Sequence, residues 1–132
     1  MKFTIDKSEK YTILELQEEK LDSLKAPRLK SEFVTLYQSG TQNLILNLSH
    51  VKYVDSSGLS AILVAKRMAN EAGGHLVLAG VNDHVMKLLK ISKLDEVFTI
   101  LSSIQESIDF IFLNEIEKEL DEEEEEKEDD GQ

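Results

Sequence analysis

Apolar positions along this chain alternate between strand-like and helix-like spacing. Residues 3–5 and 11–16 are short runs rich in β-branched and aromatic side chains, separated by polar residues 6–10, and predict an N-terminal hairpin. Residues 18–24 are polar and irregular. Ala26, Leu29, Phe33, Leu36 and Tyr37 then recur at helical spacing and predict a helix over 24–38, with Pro27 in its first turn and Ser39-Gly40 as its stop. Residues 43–48 form a short apolar run of strand length, and residues 49–54 read as its link to Asp55-Ser56-Ser57-Gly58. Leu59, Ile62, Leu63, Ala65, Met68, Ala69 and Ala72 give the next helix a wide apolar face, ended by Gly73-Gly74. Residues 75–79 predict a strand. Val85, Leu88 and Leu89 mark a short helix behind the cap signal Asn82-Asp83, and residues 96–101 a last strand. Ser103 with Glu106 forms a capping box for a final amphipathic helix carrying Ile104, Ile108, Ile111, Phe112 and Ile116.

The resulting order, β-β-α-β-α-β-α-β-α, predicts an α/β fold. Strands separated by helices imply parallel pairing with right-handed crossovers, and the hairpin adds an antiparallel pair. A single-layer mixed β-sheet of about 4–5 strands, packed with about 4 α-helices, is the expected architecture.

Composition changes this picture at one end. The chain has 132 residues, 15 basic and 26 acidic, for a net charge of −11. Residues 114–132 hold 12 of the acids and 2 lysines, a net of −10, which leaves residues 1–113 nearly neutral. Residues 1–113 therefore read as the folded domain, and residues 114–132 as the end of the last helix and a disordered acidic tail. Order is expected to fade from about residue 121, where successive glutamates repel one another. The tail reads as a solubilising extension, though a neutral body with an acidic tail would also be steered toward basic partners. No basic stripe is visible, so direct nucleic-acid binding is not expected. No apolar run is long enough to span a membrane, and the N-terminus lacks the apolar core of a signal peptide; a cytoplasmic protein is expected. With no cysteine there is no disulfide framework and no thiol chemistry. No heptad or spare apolar stripe is evident, which points to a monomer.

The chemistry concentrates where the third strand gives way to the second helix. Loops at the carboxyl ends of sheet strands are where open α/β sheets carry their sites. A helix N-terminus there brings unpaired amides and a positive dipole end. Asp55, Ser56 and Ser57 stand at that terminus, and Gly58 permits close backbone approach. Any of the three is a good N-cap. A hydrolase built on Ser57 is not supported: the G-x-S-x-G elbow is absent, and no spacing singles out His50, His75 or His84 as its partner. No phosphate loop G-x-x-x-x-G-K-[ST] and no calcium-loop pattern occurs, so no cofactor, metal or catalytic residue is expected and the chain does not read as an enzyme. Residue preference predicts Leu59 and Ile62 buried and Ser60 on a rim.

The stretch NLILNLSHVKYVDSSGL, the later GGHLVLAGVNDHVMKLLKISKLDEVF, Lys20-Leu21-Asp22 before the first helix and the strand–helix order together resemble the STAS domain, and within it the bacterial anti-sigma factor antagonists. The resemblance covers residues 3–112. It implies a STAS-like fold and a partner switch. The unphosphorylated antagonist binds an anti-sigma factor that is also a serine kinase. Phosphorylation of the motif's second serine, Ser57, releases it, and a metal-dependent serine phosphatase reverses the mark. Asp55 then matches the motif acid and Asp22 an acid in the loop near the phosphorylation site. Ser56, Gly58, Leu59 and Ser60 complete the phosphosite environment and partner-binding surface. A different role within the same family, an accessory subunit of an ABC-type transport complex with no phosphorylation, is the alternative. The chain departs from the family's pattern in residues 17–22, which lack the glycine many members have before the loop acid, and at Lys93, where members often have glycine.

Overall fold

The computed structural model describes residues 1–130, with side chains as far as Lys127. Its elements run β1 (Phe3–Lys7), β2 (Thr12–Leu16), β3 (Lys20–Leu21), α1 (Ala26–Gln38), β4 (Leu44–Asn47), β5 (Tyr53–Val54), α2 (Ser56–Glu71), β6 (Leu76–Ala79), α3 (Asp83–Ile91), β7 (Thr99–Leu101) and α4 (Ile104–Asp130). Five strands form one mixed sheet in the order β1-β2-β4-β6-β7. The hairpin pairs β1 antiparallel to β2, with Phe3 opposite Leu16. The pairs β2–β4, β4–β6 and β6–β7 are parallel. The α/β class and mixed sheet expected from the pattern are what the chain adopts.

Strand alternation sends side chains to two separate cores. Leu14, Leu16, Leu44, Leu46, Leu76 and Leu78 face α1, α2 and α3, where they meet Leu29, Phe33, Ile62, Ala65 and Val85. Ile45, Val77 and Ala79 face the other way, onto Ile104, Ile108 and Ile111 of α4. Burial on both faces explains why residues 44–46 and 76–79 read as unbroken apolar runs rather than alternating ones.

Three helices end in the same geometry. Thr41 donates to the Leu36 carbonyl after α1, Gly74 to Ala69 after α2 and Leu94 to Leu89 after α3, closing the last turn with a residue in the left-handed region. That residue is Gly40 at φ 104°, Gly73 at φ 74° and, in the third case, Lys93 at φ 59°. A side chain in this conformation costs about 1–2 kcal/mol. Lys93→Gly is therefore expected to stabilise the fold by about 0.5–1 kcal/mol after the added freedom of the unfolded chain is subtracted, read as a rise in the urea midpoint. An unchanged or lower midpoint would contradict this account.

Several boundaries differ from the sequence expectation. The last strand begins at Thr99 because residues 94–98 turn instead, with the Val97 and Phe98 amides donating to the Leu94 carbonyl. Helix α2 begins at Ser56, three residues before the start of the apolar periodicity. Two short strands, β3 and β5, form a parallel pair apart from the main sheet, in segments that read as irregular. Of the apolar positions expected on the final helix, Phe112 and Ile116 are exposed, and only the earlier ones pack inward. At the acidic end α4 runs as helix to Asp130, through the segment whose charge repulsion predicts fading order from about residue 121. Glutamate and leucine are good helix formers, and a helix already started on the sheet extends without a new nucleation cost. The final two positions of the expected tail, 131 and 132, lie outside the described residues.

Candidate functional site

The site is assembled by the small β3–β5 pair. The amides of Lys52 and Tyr53 both donate to the Glu19 carbonyl, at 2.8 and 3.1 Å, and the Asp55 amide donates to the Leu21 carbonyl at 3.2 Å. Residues 19–23 and 52–55, far apart in sequence, thus run side by side. Where the pair ends, Asp55 has extended backbone and caps α2: its Oδ1 accepts the Gly58 amide at 2.9 Å. Its second oxygen, Oδ2, accepts the Ser23 amide at 3.2 Å. One carboxylate therefore closes the first turn of α2 and ties it to the loop that carries Asp22.

Gly58 is the point of closest approach. A Cβ there would lie 2.5 Å from the Leu21 carbonyl oxygen and 2.8 Å from Val54 Cγ1. The site needs glycine because β3 passes directly against the first turn of α2, and not because of an unusual backbone angle.

Asp22 organises its own loop. Its Oδ1 accepts the Leu24 amide at 3.1 Å, and its carbonyl accepts the amides of Lys25 and Ala26. Beneath it, Lys25 donates to the Lys20 carbonyl at 3.0 Å and pairs with Glu18 at 3.4 Å. The Lys2 backbone amide, and after it the Lys25 ammonium, hold the Glu18 carboxyl below the usual carboxylate range.

These contacts settle which residue caps the helix. The sequence offered Asp55, Ser56 and Ser57 as caps; Asp55 takes the role. Ser56 is exposed and Ser57 half-buried, both in the first turn of α2. Gly58 is buried, Leu59 half-buried against the main core and Ser60 exposed on the rim, while Ile62 is buried as expected. Asp22, Asp55, Ser56, Ser57, Gly58, Leu59 and Ser60 thus lie on two adjoining segments. Two of the three histidines are engaged elsewhere: His50 lies 3.6 Å from Glu15, and His75 meets the Phe110 ring edge-on at 5.5 Å. Among the described residues no His/Asp/Glu cluster suited to a metal ion occurs, and no helix is long and apolar enough to cross a membrane.

Sequence reasoning missed four contributors. The Leu21 carbonyl and Ser23 amide are main-chain partners of Asp55. Leu24, 87% exposed, and Tyr53, 47% exposed, are large apolar side chains standing in solvent on the same two segments. Leu24, standing in a polar stretch shortly before Pro27, was the one available signal.

The STAS-domain model matches residues 2–107. BtrV of Bordetella bronchiseptica, described as a candidate anti-sigma factor antagonist, is 29% identical over 103 residues, covering 78% of this chain and 88% of BtrV. The anti-sigma-B factor antagonist of Staphylococcus aureus is 30% identical over 77 residues, 58% of this chain and 71% of that protein. The crystal structure of a candidate anti-sigma factor antagonist from Thermotoga maritima superposes with a TM-score of 0.75 at 25% identity, covering 83% of this chain and 93% of that one.

Proposed function

Because the chain belongs to the STAS-domain family, we propose that it is an anti-sigma factor antagonist which holds an anti-sigma factor serine kinase while Ser57 is free and releases it once Ser57 is phosphorylated. It does this in the cytoplasm as a monomeric binding module, without catalytic chemistry of its own. The antagonist name of the relatives above supports the general role. One observation supports the switch: Asp55 performs the capping, so the Ser57 hydroxyl is left uncommitted on a partly exposed helix turn.

The partner kinase would transfer the γ-phosphoryl group of ATP to Ser57 Oγ. The bond from phosphorus to ADP breaks, the bond to Oγ forms, and the hydroxyl proton leaves to a base. A metal-dependent serine phosphatase would return the hydroxyl by hydrolysis. Phosphate adds about −1.5 to −2 charges and three strong acceptor oxygens. That is a large change for residues 1–113, which hold 14 acids and 13 bases. It falls beside the Asp55 carboxylate and near Asp22, concentrating negative charge where the partner docks through Leu24, Tyr53, Leu59 and Ser60. The amino end of α2 offsets part of the cost within the protein, typically about 0.3–1 kcal/mol. The fold therefore persists while the affinity drops.

Calorimetric titration with an anti-sigma factor serine kinase from the same genome tests this. Ser57→Ala should bind as the wild type does, and Ser57→Asp at least tenfold more weakly. Incubation with kinase and ATP should add one phosphate to the wild type and none to Ser57→Ala, read by intact mass. Equal binding by Ser57→Asp and the wild type would refute the switch and favour a STAS module that does not respond to phosphorylation.

A further inference from the structure

Helix α4 outruns the domain it belongs to. At about 1.5 Å per residue, its 27 residues extend roughly 40 Å, yet it rests on the sheet mainly at β4, β6 and β7. The last tie to the body is Glu115, whose Oε1 accepts from Asn43 Nδ2 at 3.2 Å. Residues 116–127 are exposed throughout.

The exposed part is not uniformly polar. Leu113, Ile116 and Leu120 are 63%, 52% and 55% exposed. Their spacing of three and four puts them in one row along the helix. At about 100° per residue, Leu113 lies on the side of α4 away from Ile111, which packs on the sheet. The row therefore continues outward on a face that the domain does not cover. Glu117, Glu119, Asp121 and Glu124 border it, within a segment of net charge −10.

We infer that the outer face of α4 docks a partner protein that presents an apolar groove rimmed by lysine and arginine. The leucine and isoleucine row supplies the apolar contact, and the flanking carboxylates supply steering and specificity toward a basic rim. The same charge argues against other occupants. A second copy would bring two segments of −10 together, and nucleic acid or an anionic bilayer would add phosphates to carboxylates. This surface lies on α4, across the sheet from α2, and does not depend on the Ser57 reading.

The test uses the full chain and two synthetic 21-residue amphipathic peptides, one with leucine on one face and lysine on the other, the second with glutamate in place of lysine. Fluorescence anisotropy should show the lysine peptide binding, with affinity falling as salt rises, and the glutamate peptide not binding. Combined Leu113→Gln, Ile116→Gln and Leu120→Gln should weaken the lysine peptide at least tenfold. Circular dichroism and the urea midpoint should not move, since glutamine is a good helix former and the replaced side chains are exposed. Ser57→Asp should bind the peptide as the wild type does. The inference falls if the triple variant binds the lysine peptide as tightly as the wild type, which would reduce the attraction to charge alone. It also falls if the wild type sediments as a dimer that the triple variant abolishes.

Discussion

Gly58→Ala is expected to lower stability by about 3 kcal/mol, the upper end of what overpacking usually costs, and to abolish capture of the anti-sigma factor even where most of the protein remains folded. The added methyl would meet the Leu21 carbonyl oxygen at 2.5 Å and Val54 Cγ1 at 2.8 Å, with Leu21 Cγ at 2.9 Å. The nearest obstacle is backbone, so trimming the Leu21 side chain gives no relief. Either the first turn of α2 moves or residues 20–23 do, and the two bonds from Asp55 to Gly58 and Ser23 cannot both survive. Urea denaturation measures the first effect and calorimetric titration of the folded variant the second. Glu71→Gln, a change at an exposed residue at the far end of α2, serves as the control and should alter neither. A Gly58→Ala variant that unfolds at the wild-type urea concentration would show that β3 is not pressed against α2.

Phe33→Ala should cost more, about 3–5 kcal/mol, because it removes a fully buried aromatic ring and leaves a cavity that its neighbours fill only in part. Phe33 is 0% exposed and lies in the larger core, between the sheet and α1. A domain of this size commonly has only about 5–15 kcal/mol of stability, so the variant is expected to be partly unfolded near 37 °C. The urea midpoint should fall by roughly 2 M with little change in slope, since a slope in urea of about 1–3 kcal/mol per molar is usual. A shift under half a molar would mean that α1 does not rest on the sheet as described.

What the sequence made legible follows from the range of the forces involved. Leu29, Phe33 and Leu36 announce α1 by their spacing alone, because a helix is specified within a few turns. The helix stops at Gly40 and Gly73 mark backbone positions that local chemistry identifies, whereas Lys93 gives no such signal for the third. The β3–β5 pair was illegible for the opposite reason. Two residues cannot display a period, and Lys20–Leu21 becomes a strand only because Tyr53–Val54 lies beside it. Likewise, three adjacent residues suited to capping could not be ranked locally. Asp55 is selected by its second oxygen, which reaches the Ser23 amide across a gap of 32 positions. On α4, Ile104, Ile108, Ile111, Phe112 and Ile116 follow an amphipathic spacing, yet the sheet takes only the part ending at Ile111.

The outermost strands bear on how this molecule meets its own kind. On one rim the sheet ends in β1, whose residues 4–7 stand in water and include Asp6 and Lys7; on the other it ends in the three-residue β7. A brief or charged border gives a neighbouring polypeptide little main chain to zip onto. Crowded copies are thereby discouraged from stacking into fibres, and recognition is left to side chains on helices and loops.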